Sequence, residues 1–177
     1  ETTSGLRPLR SFDLRIPVMA SNDARSKTLF DNAYGTGQSC WTTILDLIDP
    51  RGVGAPVAGM SVVVIGYGDV GRGCARFGAA LGARVTVVEL DPVRALQASM
   101  DGFAVASLEE AAASAGMLIS ATGERSTIPL SALEVAPEGA IVTIAGGVNG
   151  EVSIDEAVAA SWVMAESGDP HVQTLTS

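Results

Sequence analysis

The feature that most constrains this chain is the run Val62-Val-Val-Ile-Gly-Tyr-Gly-Asp-Val-Gly71, followed by Val85-Thr-Val-Val-Glu-Leu-Asp91. An apolar, strand-like run feeds a Gly-x-Gly-x-x-Gly turn, a helical segment follows, and a second apolar run ends in an acid. A glycine triplet alone is weak evidence, because any glycine turn in an α/β sheet would produce it. With the strand, the helix and a carboxylate about 20 residues on, it becomes the fingerprint of a dinucleotide-binding turn. Gly66 allows the tight turn, Gly68 lets a pyrophosphate approach the backbone, and Gly71 lets helix and strand pack closely. Asp69 and Val70 open the helix, whose free N–H groups and dipole favour negative charge.

Glu89 bears on which dinucleotide. A carboxylate at the end of the second strand accepts from a ribose 2′-hydroxyl and repels a 2′-phosphate, which points to NAD rather than NADP. Arg94, five residues on, pulls the other way, since an arginine there could pair with that phosphate.

The rest of the chain reads as alternating strand and helix. Strands are expected at 61–65, 84–89, 103–106, 117–121, 140–145 and 162–165. Helices are expected at 69–82, 92–100, 107–114 and 154–160, with at most a helical turn at 131–133. This βαβ alternation predicts an α/β, Rossmann-type, doubly wound and mostly parallel sheet. Residues 60–165 form that NAD-binding domain. Residues 35–59 are expected to be a helix, with Trp41, Ile44, Leu45 and Ile48 at helical spacing, closed by Asp49-Pro50 and followed by a connector. Residues 1–34 lack periodicity and read as an extended leading segment, and 166–177 as a tail containing the only histidine, His171.

Composition narrows the class. Of 177 residues, 47% are apolar and only 18% charged, which suits a sheet covered on both faces. No apolar run approaches the ~18 residues of a membrane span, and the N-terminus has no signal-peptide pattern. The formal charge of −9 speaks against nucleic acid or an anionic membrane as partner. Cys40 and Cys74 lack metal-ligand spacing, so no metal is expected, and they read as free thiols of a cytoplasmic protein.

The basic residues carry a further clue: ten are arginine and one, Lys27, is lysine. Lysine is the cation that readily gives up and regains a proton. It lies in Ser21-Asn-Asp-Ala-Arg-Ser-Lys-Thr-Leu-Phe-Asp-Asn-Ala-Tyr-Gly35, which gathers Asn22, Lys27, Asp31 and Asn32 within eleven residues. If 26–32 begins a helix, Lys27 and Asp31 share one face. A surface ion pair worth a few tenths of a kcal/mol would have the same pattern.

Taken together, these blocks resemble the S-adenosylhomocysteine hydrolase family. The likeness lies in Asn22-Asp23-x-x-Ser26-Lys27-x-x-Phe30-Asp31-Asn32-x-Tyr34-Gly35, in the turn from Gly66 to Cys74, in Glu89 to Gln97, and in the opening Glu1-Thr-Thr-Ser-Gly5. It covers residues 1–160. The resemblance implies a cofactor NAD that takes a hydride from a ribose 3′-hydroxyl, so that the 4′-hydrogen becomes acidic, the 5′-thiol leaves, water adds and the hydride returns. It further implies that Lys27 and Asp31 grip the 3′-hydroxyl, that Glu1 holds the ribose, and that Asn22 and Asn32 position substrate and nicotinamide. Thr2, Thr3, Ser4 and Thr122 resemble cofactor contacts. An adenosine-type nucleoside is the implied substrate and a homo-oligomer the implied assembly.

The chain also departs from the family pattern. Ile144-Ala-Gly-Gly147 replaces Asn-Ile-Gly-His and so loses a histidine, Arg94 stands where asparagine is usual, and Glu124 where a small or thiol residue is usual. The family's preceding substrate domain and its later histidine and Lys/Tyr motifs are not in this sequence, so the isolated chain is expected not to hydrolyse S-adenosylhomocysteine. Two alternatives remain open: a divergent nucleoside oxidoreductase or lyase using the same 3′-keto chemistry, and a non-catalytic NAD-binding assembly or sensor protein.

Overall fold

In the computed structural model, residues 3–54, 56–147 and 150–177 are described. Five strands form one parallel sheet: β1 (Ser61–Ile65), β2 (Arg84–Val88), β3 (Ala104–Val105), β4 (Met117–Ser120) and β5 (Ile141–Ile144). Their order across the sheet is β3-β2-β1-β4-β5, with β1 paired to β2 on one side and β4 on the other. The chain therefore reverses direction across the sheet at β1, and a crevice opens beyond the carboxyl ends of β1 and β4. That is the switch point where open α/β sheets bind ligands.

The sheet is buried on both faces, which accounts for its unbroken Val/Ile runs. Val62 and Val64 face a core with Trp41, Cys74, Val87, Met117 and Ile119. Their neighbours Val63 and Ile65 face a second core with Leu118, Ile128, Ala132, Leu133 and Ala157. Alternation of side chains along a strand sends adjacent residues into opposite layers.

Helix α3 (Asp69–Ala80) follows β1, and α4 (Pro92–Met100) follows β2. Asp91 caps α4 by accepting from the Val93 N–H at 2.8 Å, and Pro92 fills its first turn. A Ser107–Glu110 capping box starts α5 (Leu108–Ala112). The 131–133 turn is a two-turn helix, α6 (Leu130–Val135), and α7 is Ile154–Ala159.

Three expectations fail. The leading segment is not extended: α1 spans Thr3–Ser11, a 3₁₀ turn Ser21–Asp23, and a π-helix Lys27–Thr36. Only Leu6 and Leu9 mark an apolar face on α1, too few to show a period. The helix expected from residue 35 thus starts eight residues earlier as a π-helix, which runs directly into α2 (Gly37–Ile48). Finally, the run at 162–165 does not join the parallel sheet. Strand β6 (Val163–Glu166) pairs antiparallel with β7 (Gln173–Thr176), so the tail is a hairpin, with the His171 N–H donated to Asp169 Oδ1 at 2.8 Å.

Glycines on α3 set how closely the layers meet. A Cβ on Gly73 would stand 2.2 Å from the Ala33 carbonyl oxygen of the π-helix, and one on Gly78 would stand 2.7 Å from the Trp41 ring. Trp41 in turn donates from Nε1 to the Cys74 carbonyl at 2.8 Å. Gly73→Ala is expected to destabilise the fold by about 1–3 kcal/mol, the range for overpacking, read as a lower midpoint in urea unfolding.

Candidate NAD-binding and active site

The crevice at the switch point has a volume of about 990 Å³, large enough for an extended organic ligand. Its floor is the glycine turn. Gly66 sits at φ +93°, and a Cβ there would meet the Thr122 methyl at 2.9 Å, so the turn and the end of β4 touch. A Cβ on Gly71 would lie 1.9 Å from the Gly66 carbonyl oxygen, so Gly71 works from behind the wall by letting α3 dock on the strand. At Gly68 the nearest atom to such a Cβ is Arg94 Nη1 at 3.7 Å. Gly68 is bare because its backbone faces the crevice.

Helices α4 and α5 are capped by their own side chains, whereas no side chain caps α3. The first-turn amides of α3, around Asp69 and Val70 in the crevice lining, are left for an external acceptor. The lining holds the acids Asp69, Glu89, Glu109 and Glu124 against Arg94 and Arg125. An anion there would meet backbone amides and the helix dipole rather than a basic wall.

Glu89 is held rigidly at the end of β2. Its Oε2 accepts the Tyr67 N–H at 2.7 Å, and Oε1 accepts those of Leu90 at 2.8 Å and Asp91 at 2.9 Å. A carboxylate has about four acceptor sites, so one remains for a ribose hydroxyl. The Tyr67 ring goes to the opposite side of the turn, donating from its hydroxyl to Asp101 Oδ2 at 2.7 Å. Burial and the Asp101 carboxylate push that phenol's pKa up.

The Lys27 group sits at the other side of the crevice. In a π-helix, residues four and five apart flank the same face, and Lys27 donates both to Asp31 and to Asn32 Oδ1, the latter at 2.7 Å. Asn32 is buried and lines the crevice, while Lys27 and Asp31 stand outside the lining, half-buried and exposed. Asn22, in the 3₁₀ turn, is buried against the π-helix and does not reach the crevice wall. Glu1 and Thr2 lie outside the described residues, as do the side chains of Thr3 and Ser4, whose backbone begins α1.

One functional group escaped the sequence. Glu151 is fully buried beneath Thr122. Its Oε2 accepts from Ser120 and, at 3.4 Å, from Thr122, while Oε1 has no hydrogen-bond partner among the described residues. Ser120 and Thr127 hydroxyls stand 2.7 Å apart beside it, and the Glu124 N–H donates to Thr122 Oγ1 at 3.1 Å. A Cβ on Gly146 would press on Glu151 Oε1, so the 145–147 turn lies directly against this carboxylate. This network fixes the Thr122 hydroxyl at the crevice. No local pattern marks a glutamate 31 residues from its partner.

A parallel 3-2-1-4-5 sheet, an uncapped helix behind a glycine turn and an acid at the end of β2 define a Rossmann-type dinucleotide-binding domain. Solved structures agree on the fold. One component of dipicolinate synthase from Bacillus halodurans superposes with a TM-score of 0.62 and 20% identity, over 77% of this chain and 46% of that one. L-tryptophan dehydrogenase from Nostoc punctiforme gives 0.54 and 20%, over 68% and 35%. The family described as "S-adenosyl-L-homocysteine hydrolase, NAD binding domain" matches residues 32–176, and the chain belongs to that family. The cofactor is accordingly NAD.

Adenosylhomocysteinase from Thermotoga maritima is 44% identical over 158 residues, 87% of this chain and 38% of that protein. The Thermococcus kodakarensis adenosylhomocysteinase is 46% identical over 157 residues, 86% and 36%. S-inosyl-L-homocysteine hydrolase from Methanosarcina acetivorans is 43% identical over 159 residues, 88% and 38%. The chain spans well under half the length of these relatives. Among the described residues, no helix is long and apolar enough to cross a membrane.

Replacing Glu89 with Ser removes the candidate ribose acceptor and takes the carboxylate away from three turn amides. Calorimetric titration should show NAD binding weakened on the order of tenfold, equivalent to ~1.4 kcal/mol, with a smaller loss for NADP. An unchanged NAD/NADP ratio would contradict the role given to this carboxylate.

Proposed function

We propose that this domain serves an adenosylhomocysteinase-like hydrolase, in which a nucleoside ribose is presented to bound NAD beside the Lys27 group. The observation that carries the reading is the bridge from Lys27 to Asp31 and Asn32 on the π-helix, with Asn32 in the wall of the cofactor crevice. When bound, NAD supplies a hydride acceptor for a secondary alcohol and returns the hydride later in the cycle.

The chain's own groups fit the flanking steps. Arg94, Glu89 and the α3 amides hold the adenine ribose and pyrophosphate, with the fixed Thr122 hydroxyl farther along the crevice. Lys27 has three N–H bonds, two of them directed at Asp31 and Asn32, so one remains for a ribose hydroxyl. Asp31 holds the ammonium in place and balances its charge. As the neutral amine Lys27 can take the proton leaving the hydroxyl, and as the resulting ammonium it can return that proton, which is general acid–base work on a group oriented by its neighbours. Asn32 orients the lysine from the cofactor side, and buried Asn22 supports the π-helix from below. Glu1, Thr2, Thr3 and Ser4 complete the ribose and nicotinamide contacts.

The substrate class is a nucleosyl thioether of the adenosine type, and the assembly a homo-oligomer of the cytoplasm. Exposed Phe12, Ile16 and Met19 leave apolar surface for neighbouring chain to cover. A second reading, a divergent nucleoside lyase or oxidoreductase, draws on Gly146 and Gly147 lining the crevice where the family pattern has Gly-His. In that reading the leaving group differs and the Lys27 chemistry does not.

Lys27→Ala in the full-length protein should leave NAD affinity within about twofold, because Lys27 lies outside the lining. It should lower kcat on the order of a hundredfold or more, the scale of general acid–base assistance. Calorimetry with NAD and a thiol-release assay read the two quantities separately. Full thiol release in the variant would overturn the role given to Lys27, whereas no thiol release from the unsubstituted full-length protein would favour a non-catalytic NAD-binding protein.

A further inference from the structure

Cys40 and Cys74 take no part in the chemistry above, yet the fold brings them together. Helices α2 and α3 cross where Gly37 meets Gly73: a Cβ on Gly37 would lie 2.6 Å from the Gly73 carbonyl carbon and 3.1 Å from the Cys74 nitrogen. Cys74 is the next residue on α3, and Cys40 lies about one turn along α2 from the crossing. Cys40 packs against the buried cluster that contains Cys74 and Trp41, in a seam that the Trp41–Cys74 hydrogen bond holds shut.

Their surroundings are unequal. Cys74 is fully buried, whereas Cys40 is partly exposed. The neighbouring Cys74 thiol lowers the Cys40 pKa to about 7, and Cys40 together with burial pushes the Cys74 thiol up. A solvent-reachable thiolate therefore lies over a protonated thiol. Oxidants attack thiolates that water can reach, and a neighbouring thiol then captures the sulfenic acid.

We propose that Cys40 and Cys74 form a modification site for hydroperoxides, which convert the pair to a disulfide joining α2 to α3. The Cys40 thiolate attacks one peroxide oxygen; the O–O bond breaks, and the departing alkoxide or hydroxide takes up a proton. The Cys74 sulfur then attacks the Cys40 sulfenic sulfur. The S–O bond breaks, and the hydroxyl leaves as water with the Cys74 proton. Two thiols are oxidised, and one hydroperoxide is reduced to an alcohol, or water, plus one water. The new bond ties the helix that continues the Lys27 segment to the helix whose first turn faces the cofactor. This inference does not depend on the hydride chemistry.

The test is peptide mapping of NAD-loaded, full-length protein after one equivalent of hydrogen peroxide and alkylation under denaturing conditions. Trypsin should yield residues 28–51 linked to 73–76, a species abolished by dithiothreitol. Its rate of formation should rise with pH to half-maximum near pH 7, where the Cys40 thiolate forms. Cys74→Ser should leave a Cys40 sulfenic acid that dimedone traps, and Cys40→Ser should leave Cys74 unoxidised. Recovery of fully alkylated Cys74 beside a sulfinic acid at Cys40, or beside a Cys40 linked to a second chain, would overturn the proposal.

Discussion

Helix α3 carries glycine at 71, 73 and 78, and at each of them another backbone or ring occupies the space of a methyl group. Glycine inside a helix costs about 0.5–1 kcal/mol relative to alanine, so three in twelve residues demand a compensating gain. The gain is proximity on two sides. Gly71 docks the helix on the β1 turn, which aims its open amides into the crevice. Gly73 and Gly78 admit the π-helix and Trp41 from the other side. The cofactor turn and the Lys27 segment meet because α3 has almost no side chain between them. Were α3 alanine-rich, both groups would exist and stand apart.

The crevice divides its work electrostatically. A chain of charge −9 must hold an anionic cofactor, and it does so without a basic pocket. Partial charges on the uncapped α3 amides act locally, where a formal charge would be felt across the molecule. Glu89 shows the same economy: three backbone amides satisfy most of the carboxylate and leave one acceptor site for a hydroxyl. Deeper in, buried Glu151 fixes the Thr122 hydroxyl and the 145–147 turn. Polar groups with a role at the crevice are each immobilised by the backbone or by one another.

Much of this was legible in the sequence because some residues have only one sensible environment. Val62 to Gly71 could hardly be anything but a buried strand entering a phosphate-type turn, and Asp91-Pro92 marks a capped helix start at the position observed. Asn32 was named through the family resemblance, whereas its spacing to Lys27 suggested only the i,i+4 partner Asp31. The π-helix adds Asn32 at i+5, and that geometry depends on packing against Gly73 rather than on any local propensity. The β6–β7 hairpin was hidden for another reason: a four-residue run such as Val163–Glu166 has the same pattern in a parallel sheet as in an antiparallel ribbon. Helix α1 is too polar to show a period. Glu151 could not be found locally, since its partners Ser120 and Thr122 belong to a distant strand end. Glu151 was set by long-range contacts, while the cofactor half was set by short-range chemistry.

On the proposed function, the Lys27 group hands a ribose hydroxyl to a cofactor that is reduced and re-oxidised within one turnover. Rapid mixing of NAD-loaded, full-length protein with S-adenosylhomocysteine, followed by NADH absorbance and thiol release together, tests it most directly. Absorbance that rises before the thiol appears and decays as the cycle closes is the expected result. Thiol release with no NADH at any time would contradict it.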